Sequence, residues 1–231
     1  MDVWIALMRH PRRLTIPYSD ESLSLTHHMK WTLYGPDSLL LQFADAVGDA
    51  AFAKGRAIIA ELENRPPQGM IEFVPSFTTV LLEFDLEHAP DLNRIAPDLA
   101  DRFEAAAAVE MPPAPIKEIP VMYDGPDLAR IAALNHRNVS EIAELHAAPV
   151  YNVYALGFTP GFAYLGDLDP RLHTPRLASP RPRVPAGSVG IGGEHTGVYT
   201  VDSPGGWNLI GRTPLKIFDP SRVKAGQPDE A

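Results

Sequence analysis

Three stretches in the second half of the chain combine residue types that could bind a ligand or a partner protein. They are "GFTPGFAYLG" (157–166), "SPRPRVPAGSVGIGG" (179–193) and "SPGGWNLIGRTP" (203–214). Their candidate binding residues are Phe158, Phe162, Tyr164, Arg181, Arg183, Ser188, Gly205, Gly206, Trp207, Asn208 and Arg212. Arginines held by a proline-rich segment suit two-pronged binding of a carboxylate or a phosphate. For one arginine taken alone, a solvated turn residue would be the better explanation.

The third stretch places two glycines directly before one of the three tryptophans of the chain. We expect Gly205 and Gly206 to allow a backbone conformation that turns Trp207 toward a cleft or a neighbouring subunit. The sequence leaves open which of the two Trp207 faces.

Several common catalytic designs are excluded by the residues present. The chain has no cysteine, which rules out thiolate catalysis and cysteine-based zinc sites. It has no Gly-Lys pair for a phosphate-binding P-loop, no G-x-S-x-G around a serine and no H-E-x-x-H. His195 stands where a dinucleotide fingerprint needs its last glycine, and it follows Glu194 in a predicted turn. We therefore expect His195 to be solvated and the chain to hold no metal site of its own.

Composition and charge limit the classes of partner. The 20 Lys and Arg residues against 29 Asp and Glu give a formal charge of -9, which argues against nucleic acid or an anionic membrane as the main partner. No apolar run approaches the roughly 20 residues that span a bilayer. The absence of cysteine is compatible with a reducing compartment, and we expect a cytoplasmic protein.

The chain length of 231 residues favours two domains after a leader. Residues 1–29 lack periodicity, so we expect a disordered leader with Met29 as an alternative start. Residues 30–112 predict a small α+β domain of the ferredoxin-like kind, and the proline-rich "VEMPPAPIKEIP" that follows predicts a linker. Residues 113–231 form the second predicted domain. Eleven of the 17 glycines of the chain lie in it between Gly157 and Gly211, which predicts an all-β barrel or sandwich.

Periodicity places the elements of both domains more closely. In the first domain we expect strands around a Gly35-Pro36-Asp37 turn and two more broken at Pro75-Ser76. Two helices are expected, the first entered through Asp49 and the second kinked or interrupted at Pro97. Residues expected on buried faces are Leu39, Leu41 and Phe43 of a strand, Phe52, Ile59 and Leu62 of the first helix, and Leu92, Ile95, Leu99 and Phe103 of the second.

Between the linker and the glycine-rich region the sequence predicts a strand and two short helices. The strand is expected near 119–123, followed by helices in "PDLARIAALN" and "NVSEIAELHAA". Asn138 and Glu141 have the spacing of a capping box at the start of the second helix. We expect His146 to pack or cap at the end of that helix.

The region from Gly157 to Pro220 closely resembles the PxpB/KipI family, also called the allophanate hydrolase subunit 1 family. The resemblance is carried by "GFTPGFAYLGDLDPRLHTPRLASPRPRVPAGSVGIGGEHTGVYTVDSPGGWNLIGRTPLKIFDP" and extends more weakly back to about Lys30. It implies a small N-terminal α+β domain and a C-terminal cyclophilin-like β-barrel.

The resemblance implies a subunit of an ATP-dependent 5-oxoprolinase that opens 5-oxoproline to glutamate and is inactive alone. The implied partners are a homologous cyclophilin-like subunit of the PxpC (allophanate hydrolase subunit 2) type and a PxpA-type subunit. ATP, with Mg²⁺, would be shared with them. The implied alternatives are a KipI-like inhibitor of a histidine kinase and a carboxyltransferase subunit of a urea carboxylase-type enzyme.

Within that function, the candidate residues divide by chemistry. Arg181 and Arg183 are expected to hold a carboxylate or phosphate, and Ser188 and Asn208 to donate hydrogen bonds. Trp207, with the phenylalanines of the first stretch, is expected to form an apolar wall or the partner contact. No residue resembles an activated nucleophile, so catalytic groups are expected partly from the partner.

Two departures from the family pattern stand out. His195 occupies a position where relatives usually have Gln. The chain also ends at "SRVKAGQPDEA" where relatives continue into a closing strand, which predicts an unpaired edge strand and a barrel that is either unstable alone or completed by a partner.

Overall fold

The computed structural model describes residues 29–221. The leader expected for 1–29 lies outside these residues except for Met29, and so does the segment after 221 on which the prediction of a missing final strand depends. The described chain divides into two compact units, 29–112 and 113–221. No helix between residues 29 and 221 has the length and apolar character needed to cross a membrane.

The first unit is a four-stranded antiparallel sheet with two helices. Its strands β1 to β4 are Lys30–Leu33, Ser38–Gln42, Met70–Ser76 and Thr79–Phe84. Helix α1 spans Asp49–Asn64 and helix α2 spans Leu92–Ala107. The spatial order of the strands is β1-β2-β4-β3, so β4 lies between β2 and β3. Helix α1 connects β2 to β3 along the chain.

The α+β composition agrees with the sequence prediction, but the ferredoxin-like connectivity is not confirmed. A ferredoxin-like chain runs β-α-β-β-α-β, whereas this unit runs β-β-α-β-β-α. The difference arises at Gly35-Pro36-Asp37, because this turn joins β1 and β2 directly as a hairpin instead of leading into a helix. Gly35 adopts a φ of 92°, which glycine accepts without strain.

The buried faces of the first unit follow the predicted periods, with a rotation in α1. Leu39, Leu41 and Phe43 are all buried, as expected. Helix α1 instead turns a face of small and branched residues inward, and even an added Cβ on Gly55 would lie 3.3 Å from the Phe43 ring. The buried α1 positions are Ala51, Gly55, Ala57, Ile58 and Leu62, so the predicted Phe52 and Ile59 are only half-buried.

Three local predictions in the first unit need correction. Pro97 lies inside α2 without interrupting it. Helix α1 begins after Gly48 with no side-chain cap, so Asp49 is the first helical residue rather than the cap. Pro75 lies within β3, and the turn to β4 uses Phe77, which has a φ of 44°.

The second unit begins with an extended linker and two short helices. Helix α3 spans Leu128–Leu134 and helix α4 spans Val139–Ala147. The capping box is confirmed: the Asn138 side chain accepts from the Glu141 N–H at 2.9 Å, and the Glu141 carboxylate accepts from the Asn138 N–H at 2.8 Å. The strand expected near 119–123 is reduced to one bridge between Met122 and Arg212.

The rest of the second unit consists of short antiparallel strands. They are β5 Asn152–Leu156, β6 Ala163–Gly166, β7 Arg181–Val184, β8 Ser188–Gly192, β9 His195–Val198, β10 Ser203–Gly205 and β11 Asn208–Arg212. Within the unit, the sheet order is β5-β6-β9-β8-β11, and β7 pairs separately with β10. These pairings within the unit are antiparallel, and the β-rich content agrees with the prediction from the glycine-rich sequence.

The predicted cyclophilin-like barrel is not confirmed, because the strands between residues 113 and 221 do not close into a barrel. Within this unit β7 and β10 pair only with each other. Two buried clusters nevertheless hold the unit together. The first lies under α3 and α4 and includes Ile131, Ile142 and Ile191. The second is aromatic and centres on Phe162 and Trp207.

Candidate functional site

Five aromatic side chains of the second unit pack together, and we call them the aromatic cluster: Phe158, Phe162, Tyr164, Tyr199 and Trp207. Phe162 is central, with ring centroids 5.5 Å from Phe158, 5.1 Å from Tyr164, 5.5 Å from Tyr199 and 5.4 Å from Trp207. All four contacts are edge-to-face, the arrangement that aromatic quadrupoles favour. The cluster is therefore a specific packing of rings and not a loose apolar patch.

Glycines on β8 and β9 make room for the Trp207 indole. A Cβ added at Gly192 would lie 2.4 Å from Trp207 Nε1, and one added at Gly197 would lie 3.3 Å from Trp207 Cζ3. Any side chain at Gly192 would collide with the ring, since real Cβ contacts do not fall below 3.0 Å. The glycine-rich composition of these strands thus clears a face of the sheet for one tryptophan.

The loop before β6 holds Phe158 at the rim of the cluster. Phe158 has a φ of 68° and Gly161 a φ of 72°, and the loop is closed by a backbone hydrogen bond from Gly157 N–H to the Phe162 carbonyl. A bulky residue at positive φ is uncommon and is maintained only by its surroundings. Phe158 is 55% exposed, whereas Phe162 is 2% exposed. The first is thus available to a ligand and the second supports it.

A small cavity of about 80 Å³ opens beside the aromatic cluster. It is lined by Phe158, Phe162, Tyr164, Arg176, Tyr199, Gly205, Gly206 and Trp207. Six of these were predicted as binding residues from the sequence, and the structure brings them together. Arg176 and Tyr199 were missed.

Arg176 is the charged residue of the cavity lining. Its guanidinium carbon lies 5.9 Å from the centre of the Trp207 ring, within the range of a cation–π contact. The arginine is exposed and makes no ion pair with any residue between 29 and 221. A signal for it existed, because Arg176 follows Pro175 in the same proline-rich region that drew attention to Arg181 and Arg183.

The arginines predicted from the sequence are already paired with carboxylates of the chain. Arg181 Nη2 lies 2.7 Å from Asp127 Oδ1, and Arg181 Nη1 donates to the Trp207 carbonyl at 3.3 Å. Arg183 lies 2.6 Å from Asp202, and both side chains are largely exposed. Neither arginine lines the cavity.

The pair formed by Arg181 and Asp127 fixes the backbone beside the tryptophan. Asp127 Oδ2 also accepts the Leu209 N–H at 2.7 Å. The carboxylate is 10% exposed, so its two partners replace lost water contacts. Arg181 is therefore a positioning residue for the Trp207 segment.

The remaining predicted polar residues also serve the fold. Arg212 pairs with Asp124 at 2.9 Å, on the exposed end of β11. Asn208 is fully buried, donates to the Pro175 and Ile191 carbonyls, and accepts from Arg130. Both N–H donors of the Asn208 amide are thus used within the chain, so it has no free donor for a ligand.

Ser188 and the two glycines before the tryptophan differ from expectation. Ser188 is buried where β8 begins, and its carbonyl accepts from the Tyr199 N–H at 2.8 Å. Neither Gly205 nor Gly206 has a positive φ. Gly205 is needed for space, because an added Cβ would lie 2.4 Å from the Tyr199 hydroxyl oxygen. Gly206 has only ordinary contacts, the nearest at 3.8 Å.

His195 is the first residue of β9 and not part of a solvated turn as predicted. It pairs in register with Gly192 and is half-buried. Burial lowers its pKa, and the charge of Glu194 opposes that shift. At neutral pH His195 is therefore an uncharged imidazole.

His146 forms a buried hydrogen-bonded chain away from the cavity. Its Nδ1 lies 2.8 Å from the Tyr123 hydroxyl and its Nε2 lies 2.8 Å from Thr196 Oγ1. Thr196 donates its own hydroxyl proton to the Gly190 carbonyl at 3.0 Å. Burial lowers the pKa of His146 to about 4 and raises the pKa of Tyr123 to about 12. The prediction that His146 packs at the helix end is confirmed.

Among residues 29–221, no group of three or more His, Asp or Glu side chains could hold a metal ion. The candidate site is an aromatic cavity with one arginine at its edge. Such a site can enclose a small apolar or ring-shaped body and attract a negative charge.

Comparison with known proteins gives relatives across most of the chain. The sequence is 54% identical over 193 residues to a 5-oxoprolinase subunit of Escherichia coli, covering 82% of this chain and 87% of that protein. It is 37% identical over 198 residues to the corresponding 5-oxoprolinase subunit of Bacillus subtilis, covering 80% of this chain and 82% of the relative.

Solved structures resemble the same part of the chain. TTHA0988 matches with a TM-score of 0.70 at 37% identity over 80% of this chain, which spans 36% of the length of that protein. The urea carboxylase of Kluyveromyces lactis matches with a TM-score of 0.61 at 20% identity, over 84% of this chain and 20% of the enzyme. The second likeness concerns the fold alone.

Residues 29–226 match the family described as "Carboxyltransferase domain, subdomain C and D", which accounts for both units. Together with the identity to the two 5-oxoprolinase subunits, this match confirms the family resemblance drawn from the three sequence stretches. The chain belongs to the carboxyltransferase subdomain C and D family.

Proposed function

We propose that this chain is a subunit of a 5-oxoprolinase, an enzyme that opens 5-oxoproline to glutamate. The observation that carries the proposal is the 54% identity to the Escherichia coli 5-oxoprolinase subunit over 87% of that protein. A relative from Haemophilus influenzae with the same name is 50% identical over 110 residues. The aromatic cavity offers flat apolar walls and one arginine to a small cyclic substrate.

Ring opening in this proposal uses ATP hydrolysis and requires other subunits. A cavity of about 80 Å³ is far smaller than the roughly 300–1,000 Å³ of pockets for drug-sized ligands. A nucleotide does not fit there, and the sequence contains no phosphate loop. ATP and Mg²⁺ therefore bind mainly to the partners, for which a homologous PxpC-type subunit and a PxpA-type subunit are the candidates. Such an assembly belongs in the cytoplasm.

The proposed role of this chain is to bind and orient, not to supply the nucleophile. Trp207 and Phe162 form rigid walls, Phe158 forms a rim in contact with solvent, and Arg176 adds a positive charge. Fixed walls and a fixed charge lower the entropic cost of aligning a substrate with groups from another subunit. The isolated chain is accordingly inactive.

Omission of subunits tests the proposal. The three purified subunits are mixed, and ATP hydrolysis is measured with and without 5-oxoproline. We expect 5-oxoproline-dependent hydrolysis only in the complete mixture. Equal 5-oxoproline-dependent hydrolysis without this chain would rule out the proposed role.

A second candidate is the carboxyltransferase part of a urea carboxylase-type enzyme. The observation in its favour is 32% identity over 85 residues to a putative urea carboxylase of Emericella nidulans, covering 36% of this chain and 7% of that protein. This candidate requires a biotin carboxyl-carrier protein in the same assembly, so a biotin blot of the purified complex separates it from the first. Inhibition of a histidine kinase stays a prediction, which co-purification with such a kinase would test.

A further inference from the structure

We propose that Arg176 binds the carboxylate of a small cyclic ligand whose ring lies in the aromatic cavity. This inference rests on the proposed function for the identity of the ligand, 5-oxoproline. It assigns the anion-binding role to Arg176 and removes that role from Arg181 and Arg183.

Arg176 differs in its charge partners from the other arginines near Trp207. Arg181, Arg183 and Arg212 each lie within 3.0 Å of a carboxylate of the chain, so their charges are neutralised locally. Arg176 has the face of Trp207 beside it and no carboxylate partner among residues 29–221. A guanidinium over an aromatic ring keeps its N–H donors at its edge, where they can bind both oxygens of a carboxylate.

The cavity lining carries no charge that opposes the Arg176 guanidinium. Its other members are aromatic rings and the two glycines. His195, which lies near Arg176, has a lowered pKa and is neutral at pH 7. In a protein with a formal charge of -9, an anionic ligand needs such a local cation.

The shape of the cavity suits a small ring. Trp207, Tyr199 and Phe162 are each at most 5% exposed, so the walls are held rigidly by the sheet and by each other. The volume of about 80 Å³ is small beside the roughly 300–1,000 Å³ of pockets for drug-sized ligands, so the cavity suits a single small ring and not a nucleotide. The small volume of the cavity favours a free small molecule over a carboxylate on the surface of a partner protein.

Calorimetric titration of the full chain tests the inference with three probes. They are 5-oxoproline, 2-pyrrolidinone, which has the same ring without the carboxylate, and acetate, which has the carboxylate without the ring. The test variant is Arg176→Gln, and the matched control is Arg183→Gln, an exposed arginine outside the cavity. Thermal unfolding checks that both variants fold like the unaltered chain.

We expect Arg176→Gln to weaken 5-oxoproline binding by roughly 10- to 100-fold, as the loss of a charge-assisted hydrogen bond implies. Binding of 2-pyrrolidinone should be weak and equal in both variants, and acetate should bind more weakly than 5-oxoproline. Arg183→Gln should bind 5-oxoproline like the unaltered chain.

Several results would overturn the inference. One is that the unaltered chain shows no saturable binding of 5-oxoproline. Another is that Arg176→Gln binds 5-oxoproline with the same affinity as the unaltered chain. A third is that Arg176→Gln weakens the binding of 2-pyrrolidinone as much as that of 5-oxoproline. In a further titration with a short peptide that has a free carboxyl terminus, tighter binding than that of 5-oxoproline would overturn the inference in favour of a partner protein. Failure of the proposed function is separate: intact, Arg176-dependent binding without turnover by the assembled subunits refutes the function and leaves the carboxylate site standing.

Discussion

The buried chain through His146 predicts a specific loss of stability in mild acid. Thr196 gives its hydroxyl proton to the Gly190 carbonyl, so it can only accept from His146. His146 Nε2 must therefore carry the proton, and Nδ1 accepts from Tyr123. A second proton on Nδ1 would oppose the Tyr123 donor and place a charge in an apolar setting.

The magnitude follows from the pKa. Burial lowers the pKa of His146 from 6.5 to about 4, and at about 1.4 kcal/mol per unit this difference corresponds to about 3 kcal/mol. Between these two pH values the unfolded chain binds a proton that the folded chain does not. The stability that depends on an uncharged His146 is therefore fully present above about pH 6.5, and it is lost as the pH falls toward 4.

Urea unfolding from pH 7 to pH 4.5 measures this contribution. A background with Trp4→Phe and Trp31→Phe leaves the fluorescence of Trp207 to report the second unit. His146→Gln should lower the free energy of unfolding at pH 7. Below pH 6.5, the free energy of unfolding of this variant should fall less steeply than that of its background, by about 1 kcal/mol per pH unit. The control, His88→Gln, changes an exposed histidine of the first unit. Identical pH dependence in the His146 variant and its background would refute the reasoning.

Three further substitutions test the site. Gly205→Ala should destabilise the second unit by about 1–3 kcal/mol in urea unfolding, because its Cβ would lie 2.4 Å from the Tyr199 hydroxyl oxygen. In the control Gly206→Ala, the nearest contact of the added Cβ is 3.8 Å, so the free energy of unfolding should stay near that of the unaltered chain. Equal effects of the two substitutions would show that space at Gly205 is not limiting. Asp127→Asn removes the charge from a buried carboxylate that binds an arginine and a backbone N–H. It should lower the free energy of unfolding at pH 7 by about 2 kcal/mol in the same urea measurement. An unchanged free energy of unfolding would contradict this role of Asp127. Phe158→Ala removes an exposed side chain at the rim of the cavity. The substitution should weaken 5-oxoproline binding in calorimetry and change the unfolding temperature little. Unchanged binding would exclude Phe158 from the site.

Much of the fold was predictable because local patterns decide it. The alternation of Leu39, Leu41 and Phe43 and the capping box at Asn138 both depend on near neighbours in sequence, and both are confirmed. The rotation of α1 was not predictable, because it depends on the contact of Gly55 with the Phe43 ring. The barrel was not confirmed, because glycine-rich strands carry little information about which edges pair.

The site was half predictable for a related reason. Residue type identified the aromatic side chains, and the structure places them around one cavity. Residue type could not show that Arg181 already has Asp127 as a partner, which lies 54 positions away. The role of Arg176 could be recognised only once the partners of the other arginines were known.

The most direct test of the central claim is the conversion of isotopically labelled 5-oxoproline into glutamate by the co-expressed subunits, with and without this chain. We expect labelled glutamate and matching ATP hydrolysis in the complete complex, and neither when this chain is omitted. Undiminished glutamate formation without the chain, or none from a complete and stably assembled complex, would contradict that claim.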